Sequence, residues 1–284
     1  MKSKEKNIGY ILFVVFAILP FTLAFSYAIL YSFGMIGVVN EGFTLEFWRE
    51  VFTSSTLGTS FLYSGIISAI GVFLSVSLAL WVVLKFKESF SNKYLSFIIY
   101  MPLAVPGIVS AFFTYQLFAQ SGLFARISYQ LNWIDTAQQF PDLVNDNWGV
   151  GIIITFISLL TPFFILLYLN IYKDERIEEL SQLSRALGAN KKQIALKVSL
   201  PIMLKKSWVL IVLYFIFLLG AYEVPLILGQ ESPQMLSVLI LRELKQFDLS
   251  KISEGYVMAV VYTVVIMAAT IFIFSRKKLR NNAY

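Results

Sequence analysis

QLSRALGANKKQIALKVSLP, residues 182–201, is a polar and basic stretch in a chain that is otherwise mostly apolar. Gly188 stands where a helix commonly ends, because glycine adopts a left-handed backbone at little cost. Asn190 is suited to cap a second helix, and Pro201 is expected to bend the chain. Apolar residues recur at helical spacing through the first half of the stretch and just before it, at Ile177, Leu180, Leu183 and Leu187. The pattern predicts a helix–turn–helix with one apolar face.

The composition indicates that lipid surrounds most of this chain. Its 284 residues are 58% hydrophobic and 14% charged, whereas soluble domains are about 45–50% apolar and about 25% charged. The chain has no Cys and no His. Disulfides, thiolate nucleophiles, imidazole bases and Cys/His metal sites are therefore excluded.

Six apolar runs are long enough to cross a bilayer, which takes about 20 residues of helix. They cover residues 8–33, 61–84, 95–118, 148–172, 207–228 and 255–274. Membrane-spanning β-strands are shorter and alternate in polarity. We therefore predict an all-α polytopic membrane protein with six transmembrane helices, forming one transmembrane domain over residues 1–284.

The basic residues predict the orientation of these helices. With the N-terminus inside, the cytoplasmic segments hold 18 of the 23 Lys and Arg residues and the outer loops hold five. Cytoplasmic loops carry an excess of basic residues, so we expect both termini in the cytoplasm. The net charge of +6 is then mostly a signal of topology, and we expect no nucleic-acid partner.

Residues 173–206, here called the elbow, form the longest segment on the predicted cytoplasmic side. One interpretation is an amphipathic connector that lies on the headgroups, with its lysines on anionic membrane lipid. The other is a docking helix for a cytoplasmic partner protein. The residue types alone leave both interpretations open.

The elbow resembles the EAA loop of bacterial ABC importer permeases, in which Glu-Ala-Ala is followed by Gly and, later, by Ile-x-Leu-Pro. Gln182, Leu183 and Ser184 occupy the Glu-Ala-Ala positions, and Val198-Ser199-Leu200-Pro201 end the motif. Gln182 lacks the charge of the family Glu. The resemblance implies contact with the ATPase by a set of residues within the motif: Gln182, Leu183, Ser184, Arg185, Ala186, Gly188, Ala189 and Pro201.

Three further segments resemble permeases for polyamines, ferric iron and related solutes. They are GAYEVPLILG (220–229), SPQMLSVLI (232–240) and YMPLAVPGIVSAF (100–112). The resemblance implies a type I importer permease with the MetI-like fold, working by alternating access. Its implied partners are a cytoplasmic ABC ATPase dimer, a second permease, and an extracytoplasmic binding protein that delivers the solute. The second permease is either a copy of this chain or a different chain, and the resemblance favours a different chain.

The sequence agrees with this assignment in one independent respect. It contains no G-x-x-x-x-G-K-[ST] loop, the backbone cradle in which such ATPases hold nucleotide phosphates. We therefore expect no cofactor in this chain and no enzymatic activity, with ATP and Mg²⁺ bound by the partner ATPase.

Glu223 is the one acidic residue within the predicted spans, and charged groups inside a membrane are commonly functional. With Tyr222, Pro225 and Gln116 it is our candidate for the translocation pathway. The alternative is that its carboxylate reaches the outer membrane interface or bonds freed backbone groups, since Pro225 is expected to kink the helix. In the third span, Pro102 and Pro106 are suited to form a hinge.

Two other classes of membrane protein are alternatives to the importer permease. A secondary transporter driven by an ion gradient typically has more helices and more intramembrane polar groups. A membrane enzyme, such as an intramembrane protease, requires catalytic motifs that this sequence lacks, including H-E-x-x-H and G-x-S-x-G. The residues favour the importer permease over both.

Overall fold

The structure is a computed structural model that describes residues 9, 11–38, 40, 42–87, 90 and 93–281. Those residues form α-helices and turns without a β-strand. The helices are α1 Leu19–Ser32, α2 Glu46–Thr53, α3 Thr56–Phe86, α4 Lys93–Tyr100, α5 Gly107–Phe118, α6 Leu123–Gln130, α7 Val150–Asp174, α8 Ile177–Ala186, α9 Lys191–Ile194, α10 Leu200–Leu219, α11 Glu223–Leu228, α12 Leu236–Leu244 and α13 Leu249–Asn281. The all-α prediction is confirmed.

Six helical segments of the described chain are long and apolar enough to cross a membrane. They are Ile11–Ser32, Thr56–Phe86, Gly107–Gln130, Val150–Asp174, Lys191–Leu219 and Leu249–Ile273. Their number matches the prediction, and the first, second, fourth and sixth overlap the predicted spans closely. The third and fifth do not.

The predicted third span, residues 95–118, is not one helix. Helix α4 ends at Tyr100, a 3₁₀ turn covers Met101–Ala104, and α5 begins only at Gly107. The break follows from Pro102 and Pro106, because proline removes a backbone donor and disfavours helical geometry in the residue before it. The two prolines thus separate two helices.

The predicted fifth span, residues 207–228, is wrong at both ends. No new helix begins at Ser207, because a helical segment runs without interruption from Lys191 to Leu219. A π turn at Ala195–Ser199 ends two residues before Pro201, and such a turn accommodates the missing N–H of the proline. At the other end, residues 220–222 separate α10 from the short helix α11.

The chain forms two compact units. The first comprises residues 1–59 and 238–284, and in it α1 packs along α13. Tyr31 stacks on Tyr256 with ring centroids 4.3 Å apart, and Tyr27 meets the edge of Tyr256 at 5.9 Å. Aromatic pairs of this kind add to the stability of apolar contacts.

The second unit, residues 60–237, has its core between α3, α5, α7 and α10. Phe156, Phe164 and Tyr168 of α7 are fully buried there. Small residues of α3, spaced three or four apart, face this core: Ser64, Ser68, Gly71 and Ser75. A Cβ at Gly71 would lie 3.3 Å from Phe156, so glycine permits the close approach of α3 and α7.

Candidate functional site

The elbow begins with a sharp reversal between α7 and α8. Helix α7 ends at Asp174 and α8 begins at Ile177, with Arg176 between them in a left-handed conformation at φ of +50°. Ile177 is fully buried and Ser181, one turn later, is also buried. This short buried face attaches α8 to the second unit.

The turn after α8 has the predicted glycine geometry. Gly188 has φ of +88°, and its N–H donates to the Arg185 carbonyl at 2.9 Å. The N–H of Ala189 donates to the Ser184 carbonyl at 2.9 Å. These two bonds form a Schellman motif, which satisfies the last carbonyls of a helix and defines its end.

The next helix is capped as predicted. The Asn190 side chain accepts from the Gln193 N–H, and the Gln193 side chain accepts from the Asn190 N–H, both at 2.9 Å. This reciprocal capping box satisfies two donors that a helix start leaves free. Together with the Schellman motif it gives the turn at residues 187–190 one defined shape.

Beyond Ile177, the apolar face of α8 is exposed in the described chain. The expected stripe places Ile177, Leu180, Leu183 and Leu187 together, but only Ile177 is buried. Leu183 is 63% exposed and Leu187 is 89% exposed. The elbow therefore presents leucines at its tip, where an isolated connector would carry polar residues.

The other motif residues are also accessible. Gln182, Arg185, Ala186 and Pro201 are exposed, and Ser184 is half-buried with its hydroxyl donating to the Leu180 carbonyl at 2.8 Å. A Cβ built on Gly188 would meet nothing within 4 Å. Gly188 is thus required by its backbone angle and not by packing within this chain.

An ionic cluster holds the base of α8, and sequence analysis missed it. The Lys87 ammonium, just beyond the end of α3, forms an ion pair with Glu178 on α8. It also donates to the Tyr172 hydroxyl at 2.5 Å, and that hydroxyl donates to Glu178 at 2.8 Å. The cluster joins Lys87 to two residues that lie 85 and 91 positions later in the sequence, so no local pattern indicates it.

The cluster favours both charged groups. Hydrogen bonds from Lys87 and Tyr172 lower the pKa of Glu178 below its ordinary 4.5. Burial opposes the charge of Lys87, but its bonds to Glu178 and Tyr172 outweigh burial and raise its pKa above 10.5. A second ion pair, Glu175 with Lys206 at 2.6 Å, joins the reversal to α10.

The candidate pathway residues do not form one cluster. A Glu223 carboxylate oxygen accepts from the Ile108 N–H at 3.1 Å, at the first turn of α5. Gln116 lies eight residues further along α5, about 12 Å at 1.5 Å per residue, and is exposed. Pro225 is buried and Tyr222 is half-buried. Glu223, the first residue of α11, thus bonds a backbone N–H at the start of α5.

The start of α5 explains this contact. Pro106, which precedes the helix, provides no side-chain cap, so a carboxylate from another element takes that role. A Cβ on Gly107 would lie 3.3 Å from the carboxylate oxygen of Glu223. Glycine at this position therefore allows the carboxylate to reach the helix end, where a negative charge is favoured.

Comparisons with known proteins place this geometry in context. A family model described as "Binding-protein-dependent transport system inner membrane component" matches residues 71–276. No curated protein matches the sequence. Within the described residues, no group of three or more acidic side chains is arranged to hold a metal ion.

Two solved structures are similar in fold over nearly the whole chain. One is a bacterial alginate ABC transporter in complex with an alginate pentasaccharide-bound periplasmic protein, with a TM-score of 0.70, 18% identity and coverage of 94% of this chain and 91% of that chain. The other is a bacterial ABC transporter involved in the import of the acidic polysaccharide alginate, with a TM-score of 0.68, 17% identity and coverage of 97% and 94%. At these identities the likeness concerns the fold.

Proposed function

The chain belongs to the family of binding-protein-dependent transport system inner membrane components, and we propose that its elbow couples solute passage to a cytoplasmic ATPase. Membership makes it a multi-pass inner membrane permease subunit of an ABC importer. The finer proposals concern which residues contact the ATPase, which partners complete the importer and what solute it carries.

The observation that carries the coupling proposal is the pair of exposed leucines at a rigid turn. Leu183 and Leu187 are 63% and 89% exposed, while capping on both sides fixes the turn between them and α9. Burying each leucine in a groove of a partner contributes roughly 1.5–3 kcal/mol. A short helix with leucines at i and i+4 is suited to such a groove.

Each part of the elbow then has a role in alternating access. The leucine tip contacts the ATPase, and the Lys87–Glu178 and Glu175–Lys206 ion pairs hold the base to the transmembrane helices. The helical segment Lys191–Leu219, which is long and apolar enough to cross a membrane, continues directly from the turn. ATP and Mg²⁺ are bound and used by the partner, so these residues transmit movement and perform no chemistry.

The remaining partners are an extracytoplasmic binding protein and a second, different permease chain. Family membership supports the binding protein, and the second permease follows from the resemblance to importers of polyamines and ferric iron. The same resemblance proposes a polyamine, ferric iron or a related compound as solute. It rests on residues 100–112, 220–229 and 232–240, whereas the alginate of the solved structures belongs to those proteins.

The test is a pair of substitutions at the tip, Leu183→Asp with Leu187→Asp, set against Leu131→Asp. Leu131 is also an exposed leucine, at 51%, but lies at the end of α6. We expect the tip variant to fold with an unchanged melting temperature, to lose the ATPase in affinity purification by about 100-fold, and to lose ATP-driven uptake. Leu131→Asp is expected to retain both.

Retention of the ATPase and of uptake by the tip variant would overturn the coupling proposal. Uptake into ATP-free vesicles under a proton gradient would instead support a secondary transporter. Mass spectrometry of the purified complex also identifies the second permease and the binding protein, whose bound ligand reports the solute.

A further inference from the structure

A groove of about 460 Å³ lies beside the ionic cluster at the base of the elbow. Its wall combines residues from the end of α7, the reversal and the start of α8: Leu169, Tyr172, Lys173, Arg176, Glu178 and Glu179, together with Lys87. Leu169 and the Tyr172 ring give it apolar surface, and charged groups surround that surface. This combination suits an amphipathic ligand.

Two cations of the groove lack close counter-charges. Lys173 forms no ion pair with any described residue, and Arg176 approaches Glu179 only to 3.9 Å, with both side chains well exposed. Lys87 differs, because Glu178 and Tyr172 already occupy its ammonium. The groove thus offers Lys173 and Arg176 to an anion from outside the chain.

The position of the groove along the helices corresponds to the membrane surface. Spans Thr56–Phe86 and Val150–Asp174 both end at it. Nearby on α3, the Lys85 ammonium lies 5.2 Å from the ring centroids of Trp81 and Phe86. Trp81 is 53% exposed, and exposed tryptophan beside lysine is typical of the level of lipid headgroups.

We propose that this groove binds an anionic phospholipid, with the headgroup phosphate between Lys173 and Arg176 and the upper acyl chain against Leu169 and Tyr172. The two cations are complementary in charge to the phosphate, and the apolar surface is suited to the acyl chain. Basic pockets between helix ends are suited to acidic headgroups. Glu178 and Glu179 disfavour a second anion, so the site accepts one phosphate. A bound lipid then braces α8 against α7.

Lysine near the C-terminus of a helix also interacts favourably with the helix dipole, and this alone would explain Lys173. It does not explain Arg176, which stands outside both helices with φ of +50°, a conformation that arginine adopts uncommonly. Lipid binding requires only that the chain spans a membrane, so it is independent of the coupling proposal.

The experiment titrates the purified chain in neutral detergent with phosphatidylglycerol or phosphatidylcholine and counts bound lipid by native mass spectrometry. The test variant is Lys173→Gln with Arg176→Asn, because asparagine tolerates the left-handed backbone. The matched control is Lys191→Gln with Lys192→Gln, two exposed cations of the same elbow outside the groove. Melting temperatures without lipid check that all variants fold.

We expect one tightly retained phosphatidylglycerol on the wild type and the control, and about 30-fold weaker retention by the test variant, since each basic residue contributes roughly a fivefold gain at an anionic surface. Equal retention of phosphatidylcholine, or unchanged retention by the test variant, would overturn the proposal. Displacement of the lipid by millimolar inorganic phosphate would overturn it too, because the site would then be one for free phosphate. If the test variant does not fold, the wild type alone tests the proposal. Displacement of its bound phosphatidylglycerol by added phosphatidylcholine would then overturn the proposal.

Discussion

Glu223 and Ile108 lie 115 residues apart in the sequence, yet a hydrogen bond of 3.1 Å joins them. The contact exists because Pro106 leaves α5 without a side-chain cap of its own and Gly107 leaves space for a carboxylate. The acidic residue of the predicted fifth span is therefore explained by a backbone N–H at a helix end. Its stabilising role is open to a direct test.

Replacing Glu223 by Ala is expected to lower stability by about 1 kcal/mol, the usual cost of losing a helix cap. Glu223→Gln keeps an acceptor oxygen and is expected to retain most of that stability. Thermal unfolding in detergent checks both, with the exposed Glu231→Ala as control. If Gln and Ala abolish uptake alike at unchanged stability, the carboxylate charge acts in the pathway and the capping role is insufficient.

The Lys87–Glu178 pair predicts how stability depends on pH. The lowered pKa of Glu178 gives a contribution that is present above pH 4.5 and is lost as the pH falls through the folded-state value. The raised pKa of Lys87 gives one that is present below pH 10.5 and is lost as the pH rises through its folded-state value. Between these limits the contribution is constant.

Glu178→Gln is therefore expected to lower the melting temperature slightly near neutral pH. It is also expected to reduce the loss of stability in acid. The effect corresponds to less than about 1 kcal/mol, since solvent screens a carboxylate that is 45% exposed. Melting curves from pH 3 to 8, with Glu179→Gln as the control in the same helix, measure it. An identical acid profile in wild type and Glu178→Gln would contradict the role of the pair.

At the scale of elements, the turn at residues 187–190 depends on one backbone angle. Gly188→Ala introduces a Cβ into open space but at φ of +88°, so it is expected to destabilise the turn by about 1 kcal/mol. Gly188→Asn is expected to cost less, because asparagine tolerates this conformation. Hydrogen exchange at residues 184–190 measures the loss, and ATP-driven uptake is expected to fall with it.

The control for that prediction is Gly58→Ala. A Cβ added at Gly58 would also meet open space, but this residue lies in the regular helix α3 without a positive φ. Alanine there is expected to be neutral or slightly stabilising. Equal effects of the two substitutions would show that the backbone angle of Gly188 is unimportant.

Local sequence patterns predicted the elements that local physics determines. Asn190 and Gly188 were identified as cap and helix end because capping depends on neighbouring residues. The hydropathy of residues 95–118 and 207–228 did not indicate where the helices are interrupted, because an apolar run stays apolar across a proline or a glycine turn. The Lys87–Glu178 and Glu223–Ile108 contacts were not predictable, because each joins residues about 90 or more positions apart.

At the scale of the whole molecule, the orientation in the membrane is the main expectation still to be measured. The distribution of Lys and Arg predicts that the elbow lies in the cytoplasm and residue 231 outside. The chain has no cysteine, so single cysteines report the side of the membrane without background.

In spheroplasts, an impermeant maleimide is expected to label Glu231→Cys and to leave Lys192→Cys unlabelled. Inverted vesicles are expected to give the opposite result. Both positions are exposed, so access to the reagent differs only by side. Labelling of Lys192→Cys from outside would reverse the topology and remove the elbow from any cytoplasmic ATPase.

The continuous segment Lys191–Leu219 has a mechanical consequence. Its 29 residues make a rod about 43 Å long, and each degree of tilt about one end shifts the other by about 0.75 Å. If the rod pivots near its centre, an inward push at the elbow becomes an outward swing of similar size at Gly220, next to the break before α11. The rod would then open one end of the membrane passage while it closes the other, so one movement of the elbow controls both ends.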